Sequence, residues 1–386
     1  MKILLFDWHS GGHHELYVRR FAEALHADAE VVAAVPESSA ARLGDAPLET
    51  LSLGSARPAV DTSRHFNAAT RRAGRREVGL FRTAIRDSGA QLAVHLFADG
   101  IVRWLVQEPP FEARLVLCLF RPRRHYPKEF ATPLSVKGRA AAGAFETLVS
   151  RWRRRPDAHA VLTLDEVAAQ RWARRPGAPA HWLPEPWVEW AEPQSLRPWE
   201  QRRGCALFGA LTERKGIELL AAAVRHAHSP PAVILAGAVG PGYEHRLREQ
   251  VRQMEASGAE VELRPRWHSE EEGLEVLGRV RCAVMPYQDH FGMSRVLVEA
   301  ATVATPVAVH ANGLLAHLVR THGLGLAVDC TDAGAFAGAL EDLTAADAPA
   351  ARPQALRRFA ERYSRAAFER ALHAAVPEPK PLRARG

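Results

Sequence analysis

Two segments in the third quarter of the chain hold residue types whose spacing suits a polyanion. Phe208-Gly209-Ala210-Leu211-Thr212-Glu213-Arg214-Lys215-Gly216 reads as a strand end, a polar turn and a helix start. Backbone N–H groups and the Lys215 ammonium can meet a phosphate there. Further on, Phe291-Gly292-Met293-Ser294-Arg295-Val296-Leu297-Val298-Glu299 places the Glu299 carboxylate just inside a helix. Donors that face a diphosphate and an acceptor that faces ribose hydroxyls are the two contacts a sugar nucleotide requires. Of 51 basic residues only Lys2, Lys128, Lys137, Lys215 and Lys380 are lysines, so a lysine at this turn is not a product of composition.

A second group lies near the amino terminus. Gly11-Gly12-His13-His14-Glu15 is a glycine-rich turn between a first strand and a first helix. His13 and His14 are candidates for acid–base work or for contact with a sugar, or else they cap the helix. His95 and Arg121 fall at two predicted strand ends, and Asp99 and Arg123 in the loops that follow them, as candidates for an acceptor. Asp165-Glu166 opens a helix, the commoner role of such an acidic pair. A G-x-G-x-x-G dinucleotide fingerprint is absent.

The elements that must position these residues alternate along the chain. Strand candidates in the first half are Ile3–Phe6, Val31–Val35, Leu92–Phe97, Leu115–Phe120 and Ala160–Leu164. The second half offers Cys205–Phe208, Ala232–Ala236, Val261–Leu263, Cys282–Pro286, Val307–His310 and Leu324–Val328. Helix-period segments separate them, beginning with Tyr17, Phe21, Ala24 and Leu25. Parallel sheets covered by helices give this pattern. The proline-dense stretch from Pro176 to Pro198 reads as an interdomain linker. The organisation expected is an α/β protein of two Rossmann-like domains, residues 1–195 and 200–352. A terminal helix over 353–376 and a disordered tail over 377–386 follow. Parallel sheets of that kind bind ligands at the carboxyl ends of their strands.

Composition narrows the function. With 386 residues and 47% hydrophobic content, two cores are the expectation. Met1 to Asp7 is too short an apolar run for a secretory signal, and no stretch approaches a membrane span. Cys118, Cys205, Cys282 and Cys330 are scattered through apolar runs, as core residues in a reducing compartment would be. The net charge of +7 gathers between Arg121 and Arg155, interleaved with His125, Tyr126 and Trp152. Such a cluster suits the phosphates of a nucleic acid, an anionic membrane surface or an acidic acceptor, or is a solvated helix face. No nucleic-acid recognition motif accompanies it. The expected location is cytoplasmic, with peripheral contact at the inner face of a membrane.

The order of Gly209…Lys215-Gly216, Leu235-Ala236-Gly237, Phe291…Glu299-Ala300 and Thr305-Pro306-Val307 resembles the GT-B fold glycosyltransferases, in particular the family-four group of nucleotide-sugar transferases. The resemblance spans nearly the whole chain. It implies an acceptor-side first domain and a donor-side second domain facing across a cleft, with the final helix crossing back to the first. It implies that Lys215 grips the donor diphosphate and that Glu299 accepts hydrogen bonds from ribose hydroxyls. By the same resemblance, Gly209 and the N–H groups of Met293, Ser294 and Arg295 lie at the donor, and Gly12 approaches its phosphate; Arg214, next to Lys215, is the residue whose charge can help stabilise a departing diphosphate. Two positions depart from the family pattern. Ala210 stands where an Arg follows the glycine, and Phe291 replaces the acidic residue eight positions before Glu299.

The expected activity is therefore hexosyl transfer from a nucleoside diphosphate sugar, with retention and with neither metal nor cofactor. The acceptor would be a carbohydrate, a lipid-linked molecule or a small molecule. A sugar-nucleotide epimerase of similar architecture and a catalytically silent nucleotide-binding protein are the alternatives.

Overall fold

Short apolar runs buried on both faces are satisfied only in parallel sheets covered by helices, and the chain builds two of them. The computed structural model describes residues 1–11, 13–57, 68–120, 136–188, 197–290, 292–345 and 353–376. The first unit comprises the described residues up to Pro186 together with those from Arg365 onward, and Trp187–Ser364 belongs to the second.

The first unit runs β1 (Lys2–Phe6), α1 (His14–Leu25), β2 (Glu30–Val35), α2 (Glu37–Ala40), β3 (Glu49–Ser52), α3 (Ala68–Ser88) and β4 (Leu92–His95). It continues through α4 (Val102–Leu105), β5 (Arg114–Cys118), α5 (Val136–Trp152), β6 (Ala158–Thr163), α6 (Glu166–Ala173) and β7 (Ala180–Trp182). The seven strands are parallel, in the order β3-β2-β1-β4-β5-β6-β7. Leu4, Phe6, Phe81, Trp152 and Trp172 pack within its core. Two edge strands lie outside the sequence expectation. β3 is polar and mostly exposed. β7 lies inside the stretch expected as a linker, and prolines around it are tolerated because it pairs on one side only. Asp165 caps α6, its carboxylate accepting from the Ala168 N–H at 2.9 Å.

The second unit runs β8 (Cys205–Phe208), α7 (Ile217–His226), β9 (Val233–Ala236), α8 (Glu244–Ala256), β10 (Val261–Arg264), α9 (Glu270–Gly278) and β11 (Cys282–Met285). Next come α10 (Arg295–Thr302), β12 (Val307–His310), α11 (Gly313–His322), β13 (Gly325–Val328), α12 (Ala333–Thr344) and α13 (Pro353–Glu361). Its six parallel strands follow the order β10-β9-β8-β11-β12-β13. All four cysteines are buried free thiols, and burial pushes the Cys205 thiol up to about 12, which suits inert core residues.

The terminal helix divides in two. After α13 the N–H groups of Arg362, Tyr363 and Ser364 each turn back three residues, and α14 (Arg365–Ala375) then rejoins the first unit. There Phe368 is fully buried and meets Phe21 of α1 edge-on, with centroids 5.4 Å apart. Each sheet reverses its winding at its first strand. The crevices between β1 and β4, and between β8 and β11, are the positions where such sheets take ligands.

Candidate active site

In the second unit the crevice is built around an ammonium group. β8 ends at Phe208, and Gly209 turns the chain with φ +102°; a Cβ there would stand 3.0 Å from Lys215 Nζ. Gly237 lets the neighbouring loop close in, since its Cβ would lie 1.9 Å from the Gly209 carbonyl oxygen. A 3-10 turn over Glu213–Lys215 ends on left-handed Gly216, packed against the Pro286 carbonyl. Lys215 thereby points inward with 7% exposure. Its Nζ donates to the Tyr287 hydroxyl at 2.8 Å and to the Phe208 carbonyl at 3.3 Å, and sits 4.1 Å from the Tyr287 ring centroid. Tyr287 follows β11, so the pair spans the winding reversal. Arg214 donates to His290 Nδ1 at 2.9 Å, and its carbonyl accepts from the Gln288 N–H at 2.9 Å. These bonds stitch the two loops together.

The amino end of α10 closes the same crevice. Met293, Ser294 and Arg295 are buried there, with Ser294 at the N-cap and making no side-chain cap bond. Helix N-termini present N–H groups and positive potential to anions. The Arg295 guanidinium is taken up internally. It pairs with the Glu270 carboxylate, lies 3.2 Å from Glu299 Oε1, and reaches the Trp187 carbonyl at 3.4 Å. Arg295 thus fixes the buried Glu299, one helical turn on. His310, at the end of β12, accepts from the Cys330 N–H through Nδ1 at 3.1 Å. Burial holds it below the usual histidine range despite Asp329, so its neutral ring keeps the proton on Nε2. Met285, Tyr287, His290, His310, Asn312 and Leu315 line a small recess here.

The first unit's crevice has a different chemistry. Asp7 follows β1 with 1% exposure. Its Oδ1 accepts from His9 Nδ1 at 3.0 Å and from the His9 N–H at 2.9 Å, and its Oδ2 accepts from His14 Nδ1 at 2.7 Å. Burial pushes the Asp7 carboxyl up, but these two histidines outweigh it and hold the group below its ordinary range. Phe97, after β4, packs 4.1 Å from the His14 ring centroid across the winding reversal. Glu15 holds the turn, accepting from the Gly11 N–H at 3.0 Å and from Ser39 at 2.7 Å, with Arg42 on the same oxygen.

The remaining expected residues are placed variously. His13 is exposed at the N-cap of α1. His95 lies wholly inside the core, not at a surface for an acceptor, tilted against Phe6, edge-on to Phe81 and 3.4 Å from Glu77. Its side chain turns toward α3, which carries Glu77. Asp99 accepts from the Phe120 N–H at 2.9 Å, tying β4's loop to the end of β5. Gly12, Arg121, Arg123 and Phe291 lie outside the described residues. Part of the basic run is internal scaffolding. Arg153 is buried and donates to the carbonyls of Ala178, Trp172 and Arg175, and Arg155 pairs with Asp157. Lys137, Arg139, Arg151 and Arg154 remain exposed. Among the described residues no helix is long and apolar enough to cross a membrane.

Asp7, His9, Arg57, Glu77, Tyr287 and Glu270 were not among the candidates. A charged residue directly after the first strand was the available signal for Asp7; Tyr287 had a similar position after β11.

Residues 189–362 match the family described as Glycosyl transferases group 1. No curated protein matches the chain. Among solved structures it is similar to sucrose-phosphate synthase from Thermosynechococcus elongatus, with TM-score 0.68, 19% identity and 97% of each chain covered. Anabaena HepE in complex with UDP and glucose gives TM-score 0.65 at 15% identity, covering 97% of this chain and 99% of that one. WaaG, a glycosyltransferase involved in lipopolysaccharide biosynthesis, gives TM-score 0.63 at 13% identity over 98% of this chain and 100% of its own. The fold is GT-B, carried by two parallel sheets of seven and six strands.

Proposed function

We propose, from the premise that the chain is a glycosyltransferase with a group 1 domain over residues 189–362, that it moves a hexosyl group from a nucleoside diphosphate sugar to an acceptor hydroxyl. In this proposal the anomeric configuration is retained and no metal or cofactor takes part. The acceptor is a carbohydrate, a lipid-linked molecule or a small molecule. The exposed Lys137, Arg139, Arg151 and Arg154 support peripheral contact with an anionic membrane. Vesicles of anionic lipid that fail to bind the protein at low salt count against that contact.

The observation that carries the proposal is the buried Lys215 ammonium at the winding reversal, beside Tyr287. As the anomeric C–O bond breaks, negative charge develops on the departing diphosphate. A buried ammonium and the amino end of α10 stabilise that charge in place, without reorganising water. Glu299, fixed by Arg295, accepts from ribose hydroxyls. Gly209 leaves room for a phosphate beside Nζ, and Arg214 lies at the outer rim.

The relative HepE was solved with UDP and glucose, which makes UDP-glucose the first donor to try here. Melting of the purified protein is followed with UDP, GDP, ADP and TDP sugars, alongside donor hydrolysis, in native protein and in Lys215→Ala and Glu299→Ala. Stabilisation by one nucleotide class, weakened in both variants, is expected. Folded protein that none of these donors stabilises overturns the proposal.

A further inference from the structure

The first unit carries a charged face that the transfer described above does not use. Between Thr70 and Gly79, in the amino half of α3, the exposed side chains are those of Arg71, Arg72, Arg75 and Arg76. Glu77 turns inward instead, its carboxylate fully buried and 3.1 Å from the Arg57 guanidinium. Among the described residues none of the four arginines is paired with a carboxylate. Residues four apart share one side of a helix, so Arg71 with Arg75 and Arg72 with Arg76 form two neighbouring rows of like charge, which repel. The first turn of α3 holds no acidic residue, and the positive end of the helix therefore adds to their field. An oxyanion lodged between the rows removes that repulsion.

Two of the arginines are also held from below. α3 enters from the carboxyl edge of the sheet, after β3, so its amino half flanks the crevice between β1 and β4. Arg76 lies over Trp8, which follows β1, with its guanidinium carbon 5.4 Å from the ring centroid. Arg75 lies over Trp104 of α4 at 5.3 Å. Gly74 permits that approach, since a Cβ there would stand 2.2 Å from Trp104 Nε1. Trp8 is fixed in turn, its Nε1–H donating to the Ser55 carbonyl at 3.0 Å. A guanidinium laid over an indole is steadied while its N–H edge stays open to a bidentate contact with phosphate. Both tryptophans are buried, so this face offers charge and no apolar side chain. That suits discrete oxyanions better than the surface of a bilayer, where apolar groups would enter the lipid.

We propose that the amino half of α3 binds phosphate groups of the acceptor, which makes the acceptor a phosphate-bearing glycan. Its role as acceptor rests on the transferase proposal, whereas the phosphate contacts belong to the first unit alone. Arg75 and Arg76 hold phosphate oxygens through paired N–H donors, and Arg71 and Arg72 add charge toward the start of the helix. No bond is made or broken at this face.

Titration calorimetry of the full chain tests the site, with myo-inositol hexakisphosphate as a clustered-phosphate probe and glucose as the neutral control. The hexakisphosphate should bind and glucose should not. Affinity should fall about tenfold or more in Arg75→Gln/Arg76→Gln, and also in Arg71→Gln/Arg72→Gln, which leaves the tryptophans covered. Arg75→Lys/Arg76→Lys keeps the charge without the planar fork and should lose most of the affinity too. Arg248→Gln, at an exposed position of α8, should bind as the native protein does. Native-like binding in both glutamine pairs, or in the lysine pair, overturns the proposal. So does a protein that phosphatidylglycerol vesicles engage through these arginines while the soluble probe does not. Melting with UDP-glucose and the other donors, followed in the same proteins, separates this proposal from the transferase proposal. A native protein stabilised by a donor but blind to the hexakisphosphate removes the phosphate site alone. A native protein that no donor stabilises removes the transferase proposal, and the acceptor role of α3 with it.

Discussion

The crevices of the two units occupy the same topological position and hold opposite charges. Between β8 and β11 the buried group is the Lys215 ammonium, held by a carbonyl and a phenol. Between β1 and β4 it is the Asp7 carboxylate, held by two imidazoles. A winding reversal supplies only a crevice and strand ends. The first residues after the strands decide which charge it holds.

Four substitutions or titrations sharpen or break that contrast. Arg295→Ala has the largest expected effect, because it leaves the Glu270 and Glu299 carboxylates without their shared guanidinium. Breaking such a buried pair costs about 3–5 kcal/mol, so denaturant melts should show the variant markedly less stable. An unchanged midpoint would mean that the triad does not organise the second crevice.

Lys215→Ala comes next. Removing one stabiliser of developing negative charge costs about 10²–10³-fold in turnover, and donor hydrolysis should fall by that much while the melt without nucleotide changes little. A loss confined to the thermal melt would make Lys215 a core residue instead.

Acid separates the crevices by its sign at Asp7. The folded-state pKa of Asp7 lies below its ordinary value, so between those two values the unfolded chain binds the extra proton. The stability from this group is complete above the unfolded value of about 4 and is lost as pH falls through the folded one. Asp7→Asn should therefore flatten the acid limb of the stability curve, whereas Lys215→Ala should leave it unchanged. Parallel acid limbs in native protein and Asp7→Asn would refute the carboxylate's role.

Tyr287→Phe is the mildest. The ring and its cation–π contact remain while the hydroxyl partner of Lys215 is lost, at about 0.5–1.5 kcal/mol. Donor turnover should drop by roughly tenfold or less, through misplacement of the ammonium. Unaltered turnover would mean that the Phe208 carbonyl alone positions Lys215.

The second unit was the more legible in sequence. Strand Cys205–Phe208 and helices such as Ala333–Thr344 are legible almost residue for residue, because the strand is wholly apolar and the helix buries Phe336, Ala337, Leu340 and Leu343 at helical spacing. The phosphate turn was visible because Gly209, Lys215 and Gly216 lie close together in the chain. The first unit hid more. Edge strand β3, with the sequence Glu-Thr-Leu-Ser, lacks an apolar run. β7 sits among prolines that ordinarily end structure. Buried His95 looked like a strand-end site residue because a polar side chain gives no sign of which face it occupies.

The sequence by itself determined the alternation of buried strands and amphipathic helices, the lysine turn and the carboxylate of α10, since each depends on residues within about two helical turns of one another. Tertiary structure decided everything that joins distant parts of the chain. Arg57 on His9, Glu77 against His95, Tyr287 beneath Lys215 and Glu270 on Arg295 are separated widely in sequence. Burial is what makes those partners necessary. A charge or ring nitrogen removed from water must find a complementary group, and only the packed sheets bring one within reach.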